Sequence, residues 1–146
     1  MNQVKYEDLI KNKNYKTLTR AMIILYIAFI IVYTFRDALY GINNQYITLF
    51  VWTAPNLIPS FLFTLFGIFY LVPILLNTRE SFNNTKYLLI VNFLNIIIFT
   101  IIELIHVIFD LGVWDNKDIF ATLIGIVLAT LIYYKLRNFL ITEDFK

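Results

Sequence analysis

Polar side chains recur along one face of an otherwise apolar stretch in the second half of the chain. In and directly after residues 87–109 they are Asn92, Asn95, Glu103, His106 and Asp110. At about 100° per residue these positions fall within an arc of roughly 80°, so on a helix they form one narrow face. The stretch is long enough to cross the hydrocarbon of a membrane, and such a face must contact protein or water rather than lipid.

Glu103 is the residue of this face for which the case for chemistry is strongest. It lies about 9 Å inside the boundary of the stretch, and a carboxylate at that depth needs a proton or a partner, which favours function over structure. His106, the single histidine, stands one turn away on the same face. It is either the hydrogen-bond partner of Glu103 or a site group itself, and the two are the candidate catalytic acid and base.

Two other apolar stretches carry faces that can pack against this one. Ala121, Gly125 and Ala129 form a stripe of small residues, which permits the close approach of membrane helices. Small and polar side chains also follow one another at helical spacing between residues 56 and 67. We expect these faces to pack together and to gather six candidate ligand-binding residues at one end of a bundle: Asn56, Ser60, Glu103, His106, Asp115 and Asp118.

Structural roles compete with binding at several positions. Asn92 and Asn95 are expected to hold helices together through interhelical hydrogen bonds. Asp118 is as well placed to cap a helix as to bind a ligand, and Asp110 and Asp115 can equally be solvated loop carboxylates. A single Glu-x-x-His pair is too little for a di-metal site, and the chain has no cysteine, so we expect neither a metal nor a cofactor.

The elements that must position these residues are membrane helices. Of the 146 residues, 60% are hydrophobic and only 15% are charged, which is typical of a membrane protein. The sequence predicts an all-α, polytopic membrane protein, a four-transmembrane-helix bundle over residues 18–140 that follows a basic head (1–17) and precedes a tail (141–146). The spans lie at about 18–35, 56–76, 87–109 and 119–134, and the first is the more lipid-exposed anchor.

Two prolines affect where the second span begins. Pro55 and Pro59 follow an uncharged segment that is too long for one span together with residues 56–76. Because proline is tolerated in the first turn of a helix but not in its interior, residues 47–52 are predicted to form a separate interfacial piece. The second helix is then expected to begin near Asn56.

The distribution of basic residues predicts that both ends of the chain are cytoplasmic, N-in and C-in. Lys and Arg concentrate in the head, between the second and third spans, and after the fourth: Lys5, Lys11, Lys13, Lys16, Arg20, Arg79, Lys86, Lys135, Arg137 and Lys146. The other two connections carry only Arg36 and Lys117 among aspartates, so they are expected to face outwards. The small net charge of +2 comes from these clusters and indicates no nucleic-acid partner.

The segment 103–125, ELIHVIFDLGVWDNKDIFATLIG, resembles the motif of the VanZ-like family of small bacterial membrane proteins. In that family a helix ends in Glu-x-x-Gln, and Asp-x-x-Asp, an Asn and a Gly open the last helix. The matching positions here are Glu103, His106, Asp115, Asp118, Thr122 and Gly125. The family's earlier Asp-x-x-x-His-Phe element is replaced by Asn56, Ser60 and Phe61, so half of any acid/base pair of the family is missing.

The resemblance implies a setting in the bacterial cytoplasmic (inner) membrane and the cell envelope, and an effect on sensitivity to glycopeptide antibiotics. The leading hypothesis is an outward-facing acidic and polar pocket that binds a lipid headgroup, a lipid-linked precursor or a glycopeptide. One alternative is an intramembrane enzyme that acts on a lipid-linked substrate through Glu103 and His106; another is a structural or assembly subunit. Whether a reaction is catalysed, and the oligomeric state, stay open.

Overall fold

The computed structural model describes residues 12–76, 84–110 and 113–142, with side chains up to residue 137. Most of the predicted head (1–17) and tail (141–146) lies outside the described residues, as do Lys5, Lys11, Arg79 and Lys146. The elements are α1 (Lys13–Thr34), α2 (Arg36–Tyr40), α3 (Gln45–Phe66), a π-helical segment (Gly67–Leu71), α4 (Val72–Leu76), α5 (Thr85–Ile108) and α6 (Asn116–Thr142).

The four long helices each begin at a side-chain cap. Asn12, Asn44 and Asn84 precede α1, α3 and α5, and the side chain of each accepts a hydrogen bond from a backbone N–H of the first turn. At α6 the carboxylate of Asp115 accepts from Lys117 N at 2.8 Å. These polar caps satisfy amide groups that a helix start leaves without partners, and they mark where each apolar run becomes helical.

Four helices are long and apolar enough to cross a membrane: Lys13–Thr34, Gln45–Leu76, Thr85–Ile108 and Asn116–Arg137. The prediction of an all-helical, polytopic membrane protein with four spans is confirmed. None of the most apolar window of α1 is buried within the protein, against half of that of Gln45–Leu76. The first helix is therefore the most exposed of the four, as predicted.

The second span differs from the prediction. Residues 47–52 belong to α3, which runs unbroken through Pro55 and Pro59, so the separate interfacial piece and the start near Asn56 are wrong. In hydrocarbon, a break would leave several backbone groups without partners, whereas each proline removes only one hydrogen bond. Neighbouring helices also bury one side of α3, including Val51, Ala54 and Ile58, and hold it in place.

The irregular π-helical turn has a cause in Pro73. This proline has no N–H to donate to the carbonyl four residues before it, that of Phe69. The hydroxyl of Tyr15, which is 2% exposed, donates to the Phe69 carbonyl instead. This hydrogen bond connects the N terminus of α1 to the π-helical segment. Tyr15 also belongs to a buried cluster with Leu65, Ile68, Phe69, Leu88, Ala129 and Tyr133.

Helix α3 is the centre of the bundle, because it packs against α1, α5 and α6. Its contact with α6 is the most extensive of all, and the two helices run in the same direction. Gly67 permits a close approach to α5: a Cβ there would lie 2.6 Å from Val91 Cγ1. The predicted packing of the second, third and fourth spans is confirmed, although α1 also lies along α3.

Candidate functional site

Charge separates the two ends of the bundle. Every Asp and Glu of the described residues lies at the end where α3 and α6 begin, and we call this the acidic end: Asp37, Glu103, Asp110, Asp115 and Asp118. The opposite, basic end carries Lys13, Lys16, Arg20, Lys86, Lys135 and Arg137. Arg36 and Lys117 are the cations of the acidic end within the described part of the chain.

A row of polar residues, the polar seam, joins α3, α5 and α6; it consists of the buried Ser60, Thr64, Asn95 and Thr122 and the half-buried Asn92. Ser60 is fully buried, and its hydroxyl donates to Leu57 O at 3.0 Å and to Thr122 O at 3.2 Å. It faces Gly125, where a Cβ would overlap Ser60 Oγ and the carbonyl of Leu57. The candidate ligand-binding residue Ser60 therefore lies inside a helix contact.

The two asparagines of α5 have the interhelical role that was predicted for them. Asn95 Nδ2 donates to Ser60 O at 2.7 Å and to Thr64 Oγ1 at 2.8 Å. Asn92 Nδ2 donates to Thr130 Oγ1 at 3.0 Å, and its Oδ1 accepts from Thr64 at 3.3 Å. These hydrogen bonds tie α5 to both α3 and α6, and this explains why an apolar helix has one polar face.

Glu103 lies at the top of the same face and is 5% exposed. The side chain of Asn56, itself buried, is within hydrogen-bonding reach of its carboxyl group. Asp118, His106 and Asp115 lie close enough to act on it electrostatically. Four of the other five candidate residues thus lie near Glu103, and Ser60 lies one turn of α3 beyond Asn56, deeper in the bundle.

The carboxylates at the start of α6 have different tasks. The helix begins at Asn116 and not at residue 119, and Asp115 provides its cap. The expectation that Asp118 caps the fourth helix is therefore wrong; Asp115 is an exposed loop carboxylate, as predicted, and it also provides the cap. Asp118 lies in the first turn and is half-buried, and a negative charge there is favoured by the positive end of the helix dipole. Its carboxylate is left available for other contacts of the site.

A cavity of about 840 Å³ opens beside these carboxylates, between α2, the first turns of α3 and the start of α6. Charged and polar groups line one side, among them Arg36, Asp115, Lys117 and Asp118, and apolar side chains such as Leu57 and Phe120 line the other. We call it the acidic-end cavity. Glu103, His106, Asn56 and Ser60 do not line it.

Sequence reasoning did not identify Arg36, Trp52 or Lys117 as residues of the acidic-end cavity. Lys117 Nζ lies 4.5 Å from the centroid of the Trp52 ring, a cation–π contact that joins the start of α6 to α3. Arg36 donates hydrogen bonds to the hydroxyl of Tyr40. The available signal was that Arg36 and Lys117 are basic residues on the otherwise acidic side of the bundle.

The site does not resemble a metal centre. Among residues 12–76, 84–110 and 113–142, no three His, Asp or Glu side chains come together as metal ligands would. The acidic side chains instead border a cavity that also contains two cations and an indole. Such a lining can bind a molecule that has both a charged and an apolar part.

Comparison with protein-family models, curated proteins and solved structures found no match. Within the site, Ser60 lies against Gly125 and Thr122, and Asn56 lies beside Glu103. These contacts join residues that are far apart in sequence.

Proposed function

We propose that the chain is a VanZ-like protein of the bacterial cytoplasmic membrane that binds an envelope lipid or lipid-linked precursor in the acidic-end cavity. In this proposal the acidic end faces outwards and both chain ends are cytoplasmic. The observation that carries the proposal is the cavity itself, since it combines charges of both signs with an apolar wall at one end of a four-helix bundle. A molecule with a charged headgroup and a hydrocarbon part fits that combination.

The chemistry of the lining supports binding of a zwitterionic or phosphorylated headgroup. Lys117 and Arg36 offer donors to phosphate, and the carboxylates of Asp115 and Asp118 accept from amine or sugar hydroxyl groups. The volume of about 840 Å³ lies within the range of small-molecule sites and can hold a headgroup with its first carbons. Leu57, Phe120 and Ile124 would contact those carbons.

In this proposal Glu103 does not contact the ligand and acts on the cavity through Asp118. It is buried with Asn56 and interacts electrostatically with Asp118, which does line the cavity. Replacing Glu103 with Gln keeps the size of the side chain and removes a possible negative charge. We expect Glu103→Gln to abolish a glycopeptide-resistance phenotype at normal membrane levels of the protein; a stably inserted variant with full activity would contradict the proposed role.

A binding experiment tests the proposal directly. The purified protein would be placed in phosphatidylcholine nanodiscs that carry either a polyprenyl phosphate or no additive, and bound additive would be measured by native mass spectrometry. We expect Lys117→Gln to weaken binding by about fivefold, since one cation near a phosphate contributes on the order of 1 kcal/mol. The matched control is Lys86→Gln, the same change at the basic end, which should leave binding unchanged.

The results separate the proposal from its alternatives. Equal losses for Lys117→Gln and Lys86→Gln would contradict binding in the acidic-end cavity, as would an absence of binding by the unaltered protein. Conversion of the polyprenyl phosphate to a product, lost in Glu103→Gln, would indicate the intramembrane enzyme instead. Retention of the resistance phenotype in Lys117→Gln and Asp118→Asn, together with its loss when helix packing is broken, would indicate a structural subunit.

A further inference from the structure

Two cavities lie end to end along the contact between α1 and α3, on the opposite half of the bundle from the acidic-end cavity. The first, of about 330 Å³, is lined by Tyr15, Lys16, Thr19, Arg20 and Tyr70. The second, of about 440 Å³, extends from Thr19 and Tyr70 to Phe29 and Pro59. Because Thr19 and Tyr70 line both, the two cavities adjoin, and together we call them the α1–α3 groove.

The mouth of the α1–α3 groove is positively charged. Lys16 and Arg20 are four residues apart on α1, so their side chains lie on the same face, and both are exposed. Among residues 12–76, 84–110 and 113–142, the Asp and Glu residues lie at the other end of the bundle. The hydroxyls of Thr19 and Tyr70 share a hydrogen bond where the two cavities adjoin.

The body of the α1–α3 groove is apolar and has the length of one membrane leaflet. Beyond Thr19 and Tyr70 its walls are aliphatic and aromatic side chains, including Met22, Ile23 and Phe63. From Thr19 to Phe29 the helical rise gives about 15 Å, which is half of the roughly 30 Å hydrocarbon core. A chain that starts at the cations and follows the groove therefore ends near the middle of the bilayer.

We propose that the α1–α3 groove is a binding site for an anionic phospholipid. Lys16 and Arg20 bind the headgroup phosphate, and one acyl chain lies between α1 and α3 against Ile23 and Phe63. The charge at the mouth and the length of the groove together select this occupant, because a neutral lipid would not need the cations and a soluble phosphate would not need the groove. This proposal is independent of the ligand of the acidic-end cavity.

Lipid selectivity measured by electron spin resonance tests the proposal. The full chain would be reconstituted in phosphatidylcholine vesicles with a trace of spin-labelled phosphatidylglycerol or spin-labelled phosphatidylcholine. We expect the unaltered protein to immobilise phosphatidylglycerol preferentially. The double variant Lys16→Gln/Arg20→Gln should reduce that preference by about fivefold for each cation, and Lys86→Gln/Lys135→Gln, an equal charge change at the same end but off the groove, should not.

A second pair of variants tests the groove without changing any charge. Ile23→Trp adds volume inside the groove, and Ile24→Trp adds the same volume at the neighbouring position, which is 67% exposed and does not line it. We expect only Ile23→Trp to remove the immobilised phosphatidylglycerol. Equal effects of Ile23→Trp and Ile24→Trp, or an equal loss with Lys86→Gln/Lys135→Gln, would overturn the proposal.

Soluble glycerol phosphate distinguishes a lipid site from a phosphate site. It carries the same phosphate group without acyl chains, so it should not displace spin-labelled phosphatidylglycerol from the unaltered protein. Displacement would show that the headgroup alone suffices and would overturn a phospholipid as the occupant. Neither result depends on whether Lys117→Gln affects ligand binding at the acidic end, so the two proposals fail separately.

Discussion

The contact between α3 and α6 at Gly125 should be the most sensitive point of the bundle. A Cβ added there would lie 3.1 Å from Phe61 N and would overlap both Ser60 Oγ and Leu57 O. The serine side chain can rotate, but two of the three obstacles are backbone atoms, so Gly125→Ala must push the helices apart. Such overpacking costs about 1–3 kcal/mol, and the lost hydrogen bond from Ser60 to Thr122 adds about 0.6 kcal/mol. We therefore expect a total loss of about 2–4 kcal/mol in the free energy of unfolding.

Unfolding of the protein from mixed micelles with increasing dodecyl sulfate would measure this loss. Trp52 reports on the contact directly, because Lys117 Nζ lies 4.5 Å from its ring and bridges α3 and α6. Replacing Trp114 with Phe removes the only other tryptophan signal. The matched control is Gly41→Ala, where the nearest atom to a new Cβ is Ala38 O at 3.3 Å and the backbone is already helical; its effect should stay within about 0.5 kcal/mol.

Two results would refute the reasoning about Gly125. If Gly125→Ala unfolds at the same dodecyl sulfate fraction as Gly41→Ala, the two helices do not approach closely at this point. If Ser60→Ala fully restores the stability of Gly125→Ala, the side chain and not the backbone limits the approach. Partial recovery is the expected outcome, because Ser60→Ala removes one obstacle and leaves Leu57 O and Phe61 N in place.

Three further predictions concern orientation and the interior. Because the chain has no cysteine, Val113→Cys should react with an impermeant maleimide added to intact cells and Thr85→Cys only after permeabilisation; the reverse pattern would contradict the proposed orientation. Asn95→Leu should lower the free energy of unfolding in detergent by about 1–2 kcal/mol, because two interhelical hydrogen bonds are lost. Asn92→Leu should lower it by less, because Asn92 is only half-buried. Tyr15→Phe should cost about 1–3 kcal/mol and expose the start of α1 to hydrogen exchange, and unchanged protection there would contradict its role as an anchor.

Hydropathy and helical periodicity predicted much of the bundle, since both follow from local sequence. The polar face of α5 could be assigned to the interior because lipid offers no partners for Asn95 or Glu103, and both are buried. The stripe with Gly125 predicted the closest helix contact for the same kind of reason. Where the membrane environment alone determines which face of a helix is buried, the sequence is sufficient to predict that face.

The course of α3 through Pro55 and Pro59 could not be predicted in this way. Local preferences disfavour proline inside a helix, but the surrounding helices and the cost of unpaired backbone groups in hydrocarbon outweigh them. The rest of the acidic-end cavity's lining beside Asp115 and Asp118 was missed for a related reason: it joins Arg36, Trp52 and Lys117, which come from three separate elements. Because these residues come from different segments, no pattern of spacing within one segment predicts that they lie together.

Arg36 and Lys117 connect the proposed membrane orientation with the acidic-end cavity. Lys and Arg are enriched in the cytoplasmic loops of membrane proteins, so basic residues are less common on the outer side. In the proposed orientation these two are the outer cations of the described chain, and both line the acidic-end cavity. The two basic residues that run against the cytoplasmic bias of Lys and Arg thus lie where a phosphate would be bound in the proposed site. Lys117, whose replacement is the binding test, is therefore the first of them to replace.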